Sequence, residues 1–227
     1  MYKIIEEEVF RENDTLIDVF NNIYLYKVGY KNLEKLSNFV FEKYAFHYHK
    51  KYNWKPDDEV RKAMFESDKK QFKDSVYFAY KTLDDRFLGT IKVSKRTTQQ
   101  FSIEKDFNIN IDDFVKSQNF PVNTIWHLGR LAIASEILKT EYTVSSKELI
   151  ERLLIHSLNY IAVDENNLML AESDVLIHKI FDQLGVHMEI IGEQKEFLGS
   201  PTYPVMLKAS AIRKWFETSI NNKLQSN

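Results

Sequence analysis

The chain has 227 residues, 44% hydrophobic and 28% charged, with a formal net charge of −2. That composition is globular, and the length fits one domain that can bury a core without metal or disulfide staples. With no cysteine, a thiol nucleophile and any thiolate metal site are excluded, and the near-balanced charge argues against non-specific nucleic-acid binding.

After an acidic lead-in, Ile23 to Val28 is a short β-rich run and reads as a first strand. Asn32 stands at a helix-cap position, ahead of Leu33, Leu36, Val40 and Tyr44 on one stripe. Pro56, Asp57 and Asp58 mark the start of a second, more polar helix. Two strands follow, Ser75 to Thr82 and Phe87 to Ser94, turned at Asp84-Asp85. A variable stretch, Lys95 to Asn123, leads to a strand over Thr124–Ala134. Ser145, with Glu148 three residues on, opens the strongest helix, whose buried side carries Leu149, Leu153, Leu154, Leu158, Ile161 and Ala162.

Leu168–Ala171 reads as a buried strand, Ser173 as the cap of a short helix, and Gly185 as its stop. Val186–Ile191 and Tyr203–Leu207 are the last strands. Ile212, Trp215, Phe216 and Ile220 mark an amphipathic helix over 211–224. The reading is a single domain over 1–227 with a core spanning about 23–208, a mixed α/β sheet with helices on both faces.

No apolar run approaches the roughly 18 residues needed to cross a bilayer. Met1 to Glu8 lacks the basic-then-apolar order of a signal peptide, so a cytoplasmic location and no integral membrane segment are expected. The six histidines show no metal spacing, and no metal is expected. Between Lys43 and Lys73, nine Lys/Arg stand against five Asp/Glu. That stretch reads as a solvated helix face, or as a docking patch for an acidic partner.

Several strings are similar to the GNAT (Gcn5-related N-acetyltransferase) superfamily, in its N-acyl amino acid synthase and acyl-homoserine-lactone synthase branch. Tyr44, Tyr48 and Trp54 stand at the steps of four and six where the lactone synthases carry Arg, Phe and Trp; Trp54 alone keeps the residue. Asp74 resembles the branch's acid ahead of its second strand, and Gly89-Thr90-Ile91-Lys92 its Gly-x-x-Arg. Trp126 to Ile133 resembles the signature strand, with His127 where the lactone synthases carry Glu. Leu198-Gly199 and Pro204-Val205 resemble the closing strands.

The resemblance implies a central splayed mixed sheet and transfer of a fatty acyl group to the amine of an amino-acid-like acceptor. The implied cosubstrate is acyl-phosphopantetheine on acyl carrier protein, or acyl-CoA, with no permanently bound cofactor. Ser135 to Ser146 holds no glycine, unlike the phosphate loop of acetyl-CoA enzymes, which points to acyl carrier protein as a partner. Phe181 stands where many of these enzymes place a proton-donating Tyr.

An amine acceptor needs a base poised near neutrality, and His127 is the candidate; the other reading is a hydrogen-bonded, half-buried histidine. Alternation puts His127 on one face with Gly129, Leu131 and Ile133, and Arg130 on the other with Trp126, Leu128 and Ala132. Arg130 is then either a structural pair with Asp74 or Glu136, or a group ordering the substrate. Lys92 for a carboxylate, Trp54 as an apolar wall and Asp74 complete the expected acceptor site. Leu131, Ala132 and Ile133 are the expected acyl-donor contacts. A short-chain acetyltransferase and a non-catalytic binding module are the alternatives.

Overall fold

The computed structural model describes residues 10–225, with side chains as far as 218. Two antiparallel strands open it, β1 (Thr15–Phe20) and β2 (Ile23–Lys27), followed by helices α1 (Leu33–Tyr52) and α2 (Asp58–Gln71). The hairpin β3 (Ser75–Lys81) and β4 (Phe87–Lys95) leads through short helices α3 (Ser102–Asp106) and α4 (Ile111–Lys116) to β5 (Ile125–Ile133). Then come α5 (Ser135–Glu141), α6 (Ser146–Ile161), β6 (Leu168–Asp174) and α7 (Val175–Gln183). The chain closes with β7 (Glu189–Ile190), β8 (Lys195–Phe197), β9 (Ser200–Lys208) and α8 (Ala209–Gln225).

The strands form one sheet in the order β1-β2-β3-β4-β5-β6-β9-β7, with β8 also on β9. The expected Thr124–Ala134 strand is β5, and it is central: antiparallel to β4, parallel to β6. One face of the sheet packs α6, whose Leu149, Leu153, Leu154 and Leu158 are fully buried. The opposite face packs α1 through Leu33, Leu36 and Val40, while Phe101, Ile103 and Phe107 cover β6 and β9. The variable stretch Lys95–Asn123 thus holds two short helices and carries its own part of the core.

Local chemistry sets the helix starts. Asp57 caps α2, its carboxylate accepting from the N–H groups of Glu59 and Val60. Ser145 Oγ accepts from Glu148 N at the start of α6, 3.1 Å away. Two expected caps are corrected. Ser173 stays in β6, paired with Tyr203, and Asp174 caps α7 by accepting from Leu176 N and Ile177 N. Asn32 donates instead to Asp14 and caps nothing. The acidic lead-in supplies the unforeseen strand β1. Met1 to Glu8 and the Ile220 side chain lie outside the described residues.

Candidate active site

The register of β5 on β6 runs only from Ile125 opposite Leu168 to Leu128 opposite Ala171. Beyond that point β5 stays with β4, and β6 follows β9 as far as Asp174 opposite Thr202. The two strands part, and a cavity of about 270 Å³ opens between them. Ile150, Ile177, Ile180, Phe181 and Met188 make one side of it apolar. Tyr44, Tyr48, Arg130, Glu172 and Asp174 make the other polar. Leu131, Ala132 and Ile133 line it along the edge that β6 has left.

A bulge then reorders β5. Thr90 faces Ala132 and Lys92 faces Gly129, so β5 spends one residue more than β4 over this step. Arg130 absorbs the extra residue with a left-handed φ of 54°, and its carbonyl accepts from Thr90 Oγ1 at 2.8 Å. Strict alternation therefore fails after Gly129. Arg130 and Ala132 turn to the α1–α2 face that His127 and Gly129 also occupy, while Leu131 and Ile133 pack toward α6.

The partner of Arg130 is neither Asp74 nor Glu136. Its Nε donates to both oxygens of Asp68 on α2, at 3.0 and 3.1 Å, and Nη2 approaches Met64 O at 3.4 Å. Asp68 is wholly buried and also meets Lys92 Nζ at 3.5 Å and the Tyr77 hydroxyl at 3.1 Å. Burial alone would raise its carboxyl; Arg130 and Lys92 outweigh that and hold it below the usual range. Lys92 is itself buried, donating to Gln71 Oε1 at 2.7 Å. Burial pushes its ammonium down to about 8.

Lys92, expected to meet an acceptor carboxylate, does not line the cavity; its ammonium is turned to Asp68 and Gln71. Asp74 accepts from Thr97 Oγ1 away from the cavity. Trp54 stands behind the wall, its ring 6.1 Å from that of Tyr48 and packed against Gly199. Glu136 pairs with Lys43.

His127 is buried beneath the cavity floor. Its Nε2 lies 2.8 Å from Glu172 Oε2, and Ser102 Oγ donates to Glu172 Oε1 at 2.7 Å. The Phe101 ring covers the imidazole, centroids 4.9 Å apart. Its Nδ1 has no hydrogen-bond partner among the described residues. A Cβ at Gly129 would stand 3.1 Å from His127 Cε1 and 3.5 Å from Nδ1, so the glycine lets the buried ring pack closely against β5. Burial works to raise the Glu172 carboxyl, but His127 and the hydrogen bonds from His127 and Ser102 hold it below the usual range.

Glu172, Asp68 and Ser102 were not singled out in the sequence. Glu172 had a readable signal, an acid directly following the apolar run Leu168–Ala171. Asp68 had none, being one of several acids on a polar helix. Tyr48 donates to Asp174 Oδ2 at 2.8 Å. Among the described residues no cluster of three or more His, Asp or Glu fits a metal ion, and no helix is long and apolar enough to cross a membrane.

No family model and no curated protein matches the sequence. Solved structures do match. FeeM, an N-acyl amino acid synthase from uncultured soil microbes, is 13% identical, covering 85% of this chain and 92% of that one at a TM-score of 0.61. A GNAT-family acetyltransferase from Staphylococcus aureus is 8% identical over 82% and 99%, at 0.53. BjaI, a CoA-dependent acyl-homoserine lactone synthase with SAM and isopentyl-CoA, is 12% identical over 83% and 82%, at 0.52. The chain therefore has the GNAT fold, a mixed α/β sheet parted between two parallel central strands, and in this it resembles the acyl amino acid and acyl-homoserine-lactone synthases.

Proposed function

We propose that the protein is an N-acyltransferase that moves a fatty acyl group from a phosphopantetheine thioester to the amine of a small, amino-acid-like acceptor. The observation that carries this is the cavity at the parted strands, apolar along α7 and polar at Glu172 and Arg130. A thioester carbonyl held at that junction has its chain among Ile177, Ile180 and Phe181 and its reacting carbon beside the acceptor's nitrogen.

The chemistry balances without a protein-bound intermediate. The ammonium of the acceptor gives up a proton to the His127–Glu172 pair, whose carboxylate lines the cavity. The freed nitrogen pair attacks the carbonyl carbon, and the C=O electrons move to oxygen. That oxyanion is met by backbone N–H groups along Leu131–Ile133. Collapse restores the carbonyl and breaks the C–S bond. The thiolate leaves with the electron pair. Of the two protons that the ammonium sheds on becoming an amide N–H, one goes to this thiolate and the other to solvent. Phe181 has no hydroxyl to supply that proton, so the His127–Glu172 pair must return it.

Two features support acyl carrier protein as the donor over CoA. The stretch after β5 folds as α5, without the glycines of a phosphate-cradling loop. Lys50, Lys51, Lys55, Lys62, Lys70 and Lys73 on and around α1 and α2 are exposed and suit an acidic partner. A short-chain acetyltransferase would leave the apolar side of the cavity without a use.

The test is incubation of the purified protein with acyl carrier protein or CoA thioesters of graded chain length and a panel of amines. Mass spectrometry should find an N-acyl product and an equivalent of free thiol. Thiol release without an amide, or neither with any donor, overturns the reading and leaves a binding module.

A further inference from the structure

The carboxylate of Glu172 is held from both ends. Oε2 lies 2.8 Å from His127 Nε2 on β5, and Oε1 accepts from Ser102 Oγ on α3 at 2.7 Å. The terminal torsion of a glutamate is soft, and one donor on each oxygen pins it. The Glu172 side chain is only 6% exposed, so losing either donor leaves a buried oxygen short of partners.

Ser102 belongs to neither of the parted strands. It lies in the stretch between β4 and β5, which is fastened on both sides of it. Arg96 divides its guanidinium between Glu104 Oε1 and Asp112 Oδ1, at 2.9 and 2.6 Å. Thr97 Oγ1 donates to Asp74 Oδ2 and Gln99 Nε2 to Lys70 O, both at 3.0 Å. Glu104 Oε2 accepts from Phe101 N at 2.9 Å. Phe101 and Ile103, the neighbours of Ser102, are buried in the cluster with Leu168, Leu170 and Met206. The Phe101 ring also covers the His127 imidazole. One backbone placement therefore sets both the cover on the imidazole and the hydroxyl on the carboxylate.

We propose that Ser102 is a positioning residue for acyl transfer: through its hydroxyl, α3 keeps the Glu172 carboxylate turned to His127 and open to the acceptor's proton. Ser102 does not line the cavity, so it acts through Glu172, and this role rests on the acyl-transfer reading above. A carboxylate deprived of the Ser102 donor holds a proton more readily, and a protonated Glu172 has no place for the acceptor's. Burial raises the Glu172 carboxyl; the charge and hydrogen bond of His127 oppose that first, and the Ser102 hydroxyl next. The other charged and titratable groups within electrostatic reach are Lys92 on β4, Tyr44 on α1 and Asp106 on α3. Arg130 and Asp174 share the cavity wall with Glu172. All of these stay in place when Ser102 is changed.

The experiment measures kcat/KM against pH for the parent, Ser102→Ala and Ser102→Thr, with an acyl thioester and an amine that the parent acylates. The acid limb belongs to the His127–Glu172 pair as a unit. In Ser102→Ala it should move to higher pH by about one to two units, the scale of one hydrogen bond to a charged group. The plateau rate above the limb should change little. Ser102→Thr keeps the hydroxyl and should return the limb to its place. The same displacement should appear without substrate, in the carbon NMR shift of the Glu172 side-chain carboxyl through a pH titration, assigned by its loss in Glu172→Gln. If Ser102 merely supports α3, Ser102→Ala lowers the rate by one factor at every pH and moves neither titration; that result overturns the proposal. Should no amine be acylated, the transferase reading falls and the carboxyl titration decides alone. A Glu172 value raised in Ser102→Ala and restored in Ser102→Thr upholds the link, and an unmoved value removes it. If Ser102→Ala does not fold, Ser102→Cys, whose thiol is a weak donor, carries the same comparison.

Discussion

Arg130 Nε donates to both oxygens of Asp68, and this contact joins the central strand β5 to helix α2 through the interior. Because Asp68 has no exposure, its charge is tolerable only while Arg130 and Lys92 face it. Asp68→Ala leaves two buried cations without their anion and should destabilise the fold by about 3–5 kcal/mol. Chemical denaturation of the two proteins measures it.

The pH dependence of that contact has a definite sign. The folded Asp68 carboxyl sits below its unfolded value, so its contribution is complete above about pH 4 and is lost as pH falls through the folded value. In Asp68→Asn the acid side of the stability curve should be shallower. Lys92 acts at the other end. Its folded value of about 8 lies below the roughly 10.4 of an unfolded lysine, so between those values the unfolded chain binds more protons. Stability should gain a rising contribution from pH 8 toward 10.4, which Lys92→Met abolishes. Urea midpoints measured across that window give the answer.

How much of this was readable beforehand depends on the kind of signal. The hairpin over 75–95, α6 and β5 follow from short-range patterns that the fold has no reason to override. The notch between β5 and β6 followed only from the resemblance, because no periodicity marks where two parallel strands stop pairing. The face of Arg130 was misread for a specific reason. Alternation is a sound rule until a bulge adds a residue, and the bulge here falls on a non-glycine residue that carries no sequence mark. Asp68 and Ser102 were invisible because their partners lie 62 and 70 residues away.

Gly199 has a φ of 81°, and a Cβ there would stand 2.2 Å from Trp54 Cγ. The backbone conformation and the clash act together, so Gly199→Ala should cost about 1–3 kcal/mol or more. The neighbours Leu198 and Ser200 line the cavity, so KM should rise as well. Thermal melts and steady-state kinetics on one preparation separate the two effects.

If acyl carrier protein docks on the lysines of α1 and α2, its affinity should fall steeply with salt, since exposed charges are screened beyond about 8 Å at physiological ionic strength. Lys50→Glu with Lys51→Glu should weaken binding further and leave turnover with acyl-CoA intact. Binding that ignores salt would remove this surface from the account.

The last prediction separates the two roles of His127. As partner of Glu172 it keeps a buried carboxylate satisfied; in the proposed reaction it would also serve the base pair that takes the acceptor's proton. His127→Ala removes both at once. It strips Glu172 of one of its two side-chain donors, so a lost rate would be confounded with lost stability. His127→Gln keeps an N–H donor for Glu172 but cannot accept a proton. It should stay as stable as the parent to within about 1 kcal/mol, the scale of one exchanged hydrogen bond. Its kcat should nonetheless fall by roughly 10²–10⁴-fold, the usual contribution of a general base. His127→Glu, the residue the resemblance would suggest, should not restore activity, because it sets a second carboxylate against Glu172 with no cation between them. Pairing it with Glu172→His reverses the two partners and should recover part of the rate. A His127→Gln protein that is folded and fully active would show that the imidazole serves Glu172 alone, and that the acceptor's proton leaves by another route.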